Sequence, residues 1–260
     1  MNNISIQGIL FDEKSSYQQG PKLAPPLIRE ALYSGSMNLY SEEGVSIENP
    51  LIVDKGDFSI SDYFEIEQIT QQHLKEASKL FTLGGDHSIT YPILKAMHEK
   101  YPVIDILHID AHADLYDSYD NDPYSHACPF ARIMENKLAQ RLVQLGIRTL
   151  NPHQSKQAEK FGVEIYPMKD WQVDQLPHFK NPLYISLDID AFDPAYAPGV
   201  SHHEPGGFSS RQVIDIIQRI DTKIIGADIV EYNPKRDTQG MTSFLAAKMM
   251  KELLGKLLGS

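Results

Sequence analysis

Short apolar runs alternate along the chain with stretches in which apolar residues recur at helical spacing. The apolar runs are typical of strands buried on both faces of a sheet, and they fall at residues 4–11, 80–83, 103–109, 141–147, 183–187 and 224–230. The helical stretches fall at residues 25–32, 62–79, 90–100 and 242–258. This alternation predicts an α/β fold, a three-layer domain with a mainly parallel central sheet. No linker-like stretch interrupts it, so we expect one domain over residues 1–260.

Acidic and histidine residues directly follow four of these apolar runs. The segments concerned are GGDH (84–87), DAHAD (110–114), DID (188–190) and Glu231. Ligands of open parallel sheets bind beyond the carboxyl ends of the strands. We therefore expect these four segments to meet at one edge of the sheet.

Alternating ligand-type residues indicate a metal site at that edge. Asp110, His112 and Asp114 are separated by alanines, so in an extended backbone the three side chains project to one side. Asp188 and Asp190 repeat the arrangement after another apolar run. A single aspartate after a strand is usually a turn residue, but several buried carboxylates are costly unless a cation pairs with them.

The composition of the ligand set favours two manganese ions over one zinc ion. With His87 included, the set has many carboxylate oxygens, two imidazoles and no thiolate. Hard oxygen ligands with some imidazole suit Mn²⁺, whereas zinc sites more often use fewer oxygens or include thiolates. Four aspartates suffice to bridge two cations, and paired cations activate water as a nucleophile. The sequence thus predicts a hydrolase with two Mn²⁺ per subunit.

The charge balance and the cysteine count bear on partners and location. The chain has 24 basic and 35 acidic residues, a net charge of −11, which argues against nucleic acid and fits a small cationic substrate. The single cysteine, Cys128, excludes an internal disulfide and fits a reducing compartment. Residues 1–4 lack the pattern of a signal peptide, and no apolar run is long enough for a membrane helix. We expect a cytoplasmic protein with no membrane contact.

Four motifs make the sequence resemble the ureohydrolases, the family of arginase and agmatinase. They are GGDHS (84–88), DAHAD (110–114), SLDIDAFDP (186–194) and DIVEYNP (228–234). Three further stretches are most similar to plant-type arginases and their bacterial relatives: YSHACPFARIMEN (124–136), APGVSHHEPGG (197–207) and GADIVEYNPKRDT (226–238). The resemblance implies an arginase/deacetylase-like fold and a homo-oligomer, either a trimer or a hexamer.

The same resemblance implies a role for each candidate site residue. One manganese would bind His87, Asp110, Asp114 and Asp188, and the other would bind Asp110, His112, Asp188 and Asp190. Water activated by the ions would attack the guanidinium carbon of agmatine or arginine, releasing urea and putrescine or ornithine. Glu231 would pair with the guanidinium, His126 would relay protons near the leaving amine, and Asp114 would assist. Considered without the family, His126 is a solvated loop histidine and Glu231 could pair with Lys235 or Arg236.

The substrate and two other function classes stay open at this point. Asn151 stands where animal-type arginases carry a carboxylate for the α-amino group, so agmatine, arginine and guanidinobutyrate all remain candidates.

A deacetylase-like amide hydrolase with one zinc and a non-catalytic relative are disfavoured, because the ligand set is complete. A nucleophile formed by Cys128 and His126 is disfavoured because no third group orients the pair. For His202 and His203, a place at the site entrance and a solvent-facing position are equally favoured. His108 lies inside an apolar run and is expected in the core.

Overall fold

The computed structural model describes residues 3–260, so Met1 and Asn2, on which part of the signal-peptide argument rests, lie outside the described residues. Within residues 3–260, eight strands form one central sheet. They are β1 (Ile4–Leu10), β2 (Ile52–Ser59), β3 (Lys79–Leu83), β4 (Asp105–Ile109), β5 (Arg141–Ile147), β6 (Glu164–Pro167), β7 (Leu183–Asp188) and β8 (Ile224–Val230). Their order is β2-β1-β3-β8-β7-β4-β5-β6, and all neighbouring strands are parallel.

Helices cover both faces of this sheet. Those of the described residues are α1 (Ala24–Leu32), α2 (Glu65–Glu76), α3 (Thr90–Lys100), α4 (Pro129–Glu135), α5 (Pro152–Phe161), α6 (Ser210–Arg219) and α7 (Met241–Gly259). Apolar residues of α1, α6 and α7 pack into one buried cluster with the sheet, and those of α2, α3, α4 and α5 pack into a second. The predicted three-layer α/β fold is confirmed, and the sheet is wholly parallel rather than mainly so.

All six predicted strands are present, but the two edge strands were not predicted. No residue of β2 or β6 is fully buried, so neither strand shows the continuous apolar run of a central parallel strand. The helix predicted over residues 62–79 is shorter, because Ala77 is extended (φ −124°, ψ 151°) and Lys79 already belongs to β3. Helices α4, α5 and α6 were also not predicted.

The closing helix α7 matches its predicted range closely. Met249, Leu253 and Leu257, which recur at near-helical spacing, are buried in the cluster that packs on the sheet, whereas Phe244 is 38% exposed. No helix in the part of the chain that the structure describes is long and apolar enough to cross a membrane.

The sheet order explains how the predicted site assembles. Strands β3, β8, β7 and β4 are consecutive neighbours, and these are the four strands whose ends carry the acidic and histidine residues. Because all four run in the same direction, their carboxyl ends lie side by side at one edge of the sheet.

Candidate active site

The first side-chain cluster surrounds the Nδ1 atom of His87, which is buried and has no hydrogen-bond partner of good geometry. Three carboxylate oxygens face this atom: Asp110 Oδ2 at 3.2 Å, Asp114 Oδ2 at 3.2 Å and Asp188 Oδ2 at 3.1 Å. Metal–ligand bonds of about 2.1 Å at right angles separate neighbouring ligand atoms by about 3 Å. His87, Asp110 and Asp114 thus offer atoms close enough to one another to hold a divalent cation, and Asp188 approaches the same His87 atom.

The second cluster lies beside the first and shares a residue with it. His112 Nδ1 is 3.0 Å from Asp190 Oδ2 and 3.5 Å from Asp110 Oδ1. Asp110 thus presents Oδ2 to the first cluster and Oδ1 to the second, as a carboxylate that bridges two cations does. Asp188 reaches the first cluster with Oδ2, while its Oδ1 accepts a hydrogen bond from the Asp190 backbone N–H at 2.7 Å. That Asp188 also serves the second ion stays a prediction.

The electrostatics of the two clusters also fit cations. Burial by itself lowers the pKa of His87, but the three surrounding carboxylates outweigh burial and raise this pKa well above its usual value. Burial, followed by the neighbouring carboxylates, raises the pKa of Asp188 well above its usual range, and burial is the main cause that raises the pKa of Asp190 to about 6. Carboxylates crowded in this way favour any positive charge between them. A divalent cation supplies that charge and takes the histidine lone pair that a proton otherwise occupies.

Tight local backbone geometry positions these side chains. The turn before His87 passes so close to the end of β1 that a Cβ on Gly85 would lie 1.6 Å from the carbonyl oxygen of Phe11. Asp114 and Glu231 both have left-handed backbone conformations, with φ of 48° and 63°. Such conformations are unusual for residues other than glycine, and they cluster at functional sites.

His126 lies between Glu231 and the loop that follows β1. Its Nδ1 is 2.8 Å from Glu231 Oε1, which also accepts the backbone N–H of His87 at 2.8 Å. The backbone N–H of Ser16 donates to Nε2 at 3.1 Å, and the Ser16 hydroxyl lies 2.8 Å from the same atom. The Ser16 N–H requires an unprotonated Nε2, which places the ring proton on Nδ1, toward Glu231.

Opposing effects act on the pKa of His126. Burial lowers its pKa, but Glu231 and then Asp86 outweigh burial and raise the pKa to about 9. A second proton on Nε2 would displace the N–H of Ser16, so protonation must be accompanied by a shift of the Ser16 loop. The imidazole is therefore placed to hold or release a proton at Nε2.

A cleft opens over both clusters and is strongly acidic. Asp or Glu occupies five of its lining positions, and none of the described lining residues is Lys or Arg. Tyr116, Tyr119, Thr149 and Gln154 form part of its wall, and Glu204 also lines it. A cleft of this charge attracts cations and disfavours anions.

Comparison with known proteins agrees with this geometry. The sequence pattern described as the Arginase family matches residues 2–255. The chain belongs to the arginase family. It is 42% identical over 276 residues to "Arginase 1, mitochondrial" of Arabidopsis thaliana, an alignment that covers 97% of this chain and 80% of that protein. It is 32% identical over 270 residues to the agmatinase of Bacillus anthracis, covering 97% of this chain and 91% of that protein.

The fold comparison gives the same result. The structure of the arginase from Medicago truncatula superimposes with a TM-score of 0.92 at 39% identity, covering 98% of this chain and 87% of that chain. The fold is thus the arginase-like α/β fold, and the protein is a ureohydrolase-type hydrolase that acts on guanidino compounds.

The structure of this arginase-family chain brings all the candidate site residues together at one edge of the sheet. Glu231 contacts His126, and neither Lys235 nor Arg236 is its partner among the described ion pairs. His202 lines the cleft, whereas His203 is exposed and its Nε2 lies 2.8 Å from the carbonyl oxygen of Pro198.

Cys128 lies close to His126 in the sequence but has the properties of an inert thiol. It is buried, and its Sγ lies 3.8 Å from the carbonyl oxygen of Asp122. Burial, and then the charge of Asp114, raise the pKa of the thiol to about 12. A thiol of this kind is not a nucleophile at neutral pH, which agrees with the expectation from the sequence.

Several residues that line or adjoin the cleft were not identified from the sequence. Ser16 belongs to a loop far from every motif, and only the fold brings it to His126. Asn151 caps α5 by accepting the Gln154 backbone N–H at 2.9 Å, and its amide donates to the Tyr116 hydroxyl. Gln154 and Tyr116 therefore line the cleft where the sequence pointed to Asn151.

Proposed function

We propose that the protein hydrolyses agmatine or arginine to urea and an amine, with two Mn²⁺ bound per subunit. One observation carries the proposal: two cation-sized ligand clusters share Asp110 and open into an acidic cleft that contains Glu231 and His126. A guanidinium is a planar cation, and a carboxylate is the acceptor that best matches it.

The proposed ligand roles rest on the two clusters and, for Asp188 at the second ion, on the family resemblance. His87, Asp110, Asp114 and Asp188 would hold one ion, and Asp110, His112, Asp188 and Asp190 would hold the other. When bound, the two ions supply a nucleophile from water at neutral pH. Only oxygen and imidazole donors are present, which is the donor set that suits Mn²⁺.

Glu231 and His126 would bind the substrate and move the proton. Among the described residues, the hydrogen bonds to Glu231 end on Oε1, which leaves Oε2 to accept from the guanidinium. Water adds to the guanidinium carbon, the bond from this carbon to the alkyl nitrogen breaks, and that nitrogen needs a proton to leave as an amine. His126 Nε2 would deliver this proton, with Asp114 assisting the transfer from the attacking water.

The cleft favours agmatine over arginine at the far end of the substrate. Agmatine ends in an ammonium, which suits the carboxylate of Glu204 at the wall of the cleft. Arginine also carries a carboxylate, which would have to bind through hydroxyls such as those of Ser16, Tyr119 and Thr149. Arginine stays a second candidate because the plant arginase is the more similar of the two named relatives.

A substrate panel tests the proposal. Mn-loaded protein would be assayed for urea and amine release from agmatine, arginine, guanidinobutyrate and guanidinopropionate. We expect the highest kcat/KM with agmatine, and no urea from any compound would overturn the proposed function. Asp190→Ala should bind less metal and lose activity, whereas the surface variant Asp221→Ala should retain both. Full activity in Asp190→Ala would contradict the two-metal assignment.

Three further features accompany this proposal. We propose that residues 1–260 act as one ureohydrolase domain, in line with the family match over residues 2–255. A cytoplasmic location and a trimeric or hexameric assembly stay predictions.

A further inference from the structure

We propose that Gln144 is a positioning residue for the metal centre and acts through His108 on Asp110, the carboxylate common to both clusters. Gln144 and His108 are register partners on the adjacent strands β5 and β4, and both side chains are fully buried. Neither residue belongs to the ligand set proposed above. The inference rests on the proposed two-metal function.

The neighbouring atoms fix the orientation of the Gln144 side-chain amide. Its Nε2 donates to the carbonyl oxygen of Ala113 at 2.7 Å and lies 3.0 Å from His108 Nδ1. A carbonyl oxygen only accepts hydrogen bonds, so the NH₂ group and not Oε1 must face Ala113. The same NH₂ group therefore donates to His108 Nδ1.

This orientation sets the tautomer of His108. With Nδ1 accepting from Gln144, the ring proton of the neutral imidazole must lie on Nε2. Nε2 is 2.7 Å from Asp110 Oδ2, so it donates to this carboxylate. Phe130 stacks on the ring at a centroid distance of 3.9 Å and holds its plane. His108 lies within ligand distance of the first cluster, but neither of its nitrogens has a lone pair left for a cation.

The result is a carboxylate held at both oxygens. Asp110 Oδ2 accepts from His108, and Oδ1 accepts from the backbone N–H of His112 at 2.6 Å. Rotation of the carboxylate is thereby restricted, and each oxygen keeps a lone pair directed at one cluster. The bond from Gln144 to the Ala113 carbonyl also holds the backbone between the ligands His112 and Asp114.

Replacing Gln144 by leucine tests this arrangement through metal affinity. Leucine has a similar volume but donates to neither Ala113 nor His108, so Asp110 loses its fixed donor. We expect the dissociation constant for Mn²⁺ of the full-length protein, measured by calorimetry after demetallation, to rise about 10- to 100-fold.

The matched control is Gln7→Leu. Gln7 is also a fully buried strand glutamine next to a histidine: its Oε1 lies 2.7 Å from His73 Nδ1, and its Nε2 donates to Thr70 and Thr82. These partners are not candidate ligands. Gln7→Leu should lower the free energy of unfolding without changing the affinity for Mn²⁺. An equal loss of affinity in both variants would overturn the proposal in favour of general destabilisation.

A double-mutant cycle tests whether Gln144 acts through His108. His108→Phe removes the donor to Asp110, so adding Gln144→Leu to it should weaken Mn²⁺ binding by less than Gln144→Leu does in the wild type. Full additivity would overturn the relay. If Gln144→Leu does not fold, Gln144→Met keeps the length of the side chain but donates to neither Ala113 nor His108, and the same loss of affinity is expected.

Nitrogen NMR of the histidine rings gives a readout that does not depend on metal. The proposal expects the His108 proton on Nε2 in the wild type. A wild-type proton on Nδ1 would overturn the inference, even if the protein binds two Mn²⁺. Wild-type protein that binds no Mn²⁺ would overturn the proposed function and the metal role of Gln144 with it, whereas unchanged affinity in Gln144→Leu would overturn the inference alone.

Discussion

Replacing Glu231 by glutamine should separate substrate binding from the architecture of the site. In the free protein, the glutamine oxygen can still accept from His126 Nδ1 and from the His87 N–H, the two contacts of 2.8 Å that hold Glu231. The amide NH₂ then occupies the place of Oε2. A guanidinium entering the cleft would meet a donor instead of a carboxylate oxygen.

The magnitude follows from the contact that is lost. Glu231 is only 4% exposed, and a hydrogen bond to a charged group contributes about 1.5–3 kcal/mol. Losing about 3 kcal/mol lowers kcat/KM by about 100-fold, since about 1.4 kcal/mol corresponds to a factor of ten. Mn²⁺ stoichiometry should be unchanged, because Glu231 faces the clusters only through the backbone of His87.

Steady-state urea release with agmatine and arginine measures this effect, and calorimetry with Mn²⁺ checks the metal site. Glu252→Gln is the control: Glu252 is a buried glutamate that accepts the backbone N–H of Glu42 and pairs with Lys248, away from the cleft. A kcat/KM within threefold of wild type in Glu231→Gln, with two Mn²⁺ bound, would refute the pairing of Glu231 with the guanidinium. An equal loss in Glu252→Gln would point to general destabilisation.

Three further predictions concern the surroundings of the site. Because its folded pKa of about 9 lies above the ordinary 6.5, His126 stabilises the metal-free protein fully below pH 6.5 and loses this contribution as the pH rises through about 9. The difference in unfolding free energy between wild type and His126→Asn, measured in urea, should shrink over that interval; a constant difference would contradict the reasoning. Gly85→Ala should cost about 3 kcal/mol or more in chemical denaturation, because its Cβ meets the Phe11 carbonyl, whereas Gly259→Ala, with open space, should cost little. Cys128 should resist iodoacetamide at pH 8 in the native protein and react in urea, as judged by mass spectrometry, and native labelling with loss of activity would speak for a catalytic thiol.

Much of the central sheet and of the candidate site could be predicted because both depend on local patterns. A strand buried on both faces must be continuously apolar, and this requirement identified all six strands that lie inside the sheet. The alternation of residue types correctly predicted that Asp110, His112 and Asp114 come together, but the backbone is not extended there, since β4 ends at Ile109 and Asp114 is left-handed. Edge strands β2 and β6 escaped prediction because half-exposed strands carry no such pattern.

The sequence by itself determined the fold class, the types of the candidate site residues and the strand ends on which they lie, since these depend on periodicity over a few residues. Only the tertiary structure decided that β3, β8, β7 and β4 are neighbours, because strand order depends on pairings between distant segments. It also decided which atoms meet: Ser16 reaches His126 across 110 positions, and Gln144 reaches His108 across 36. Contacts of this kind arise from the packing of whole elements, and a glutamine within an apolar strand shows no local sign of the histidine that it will hold.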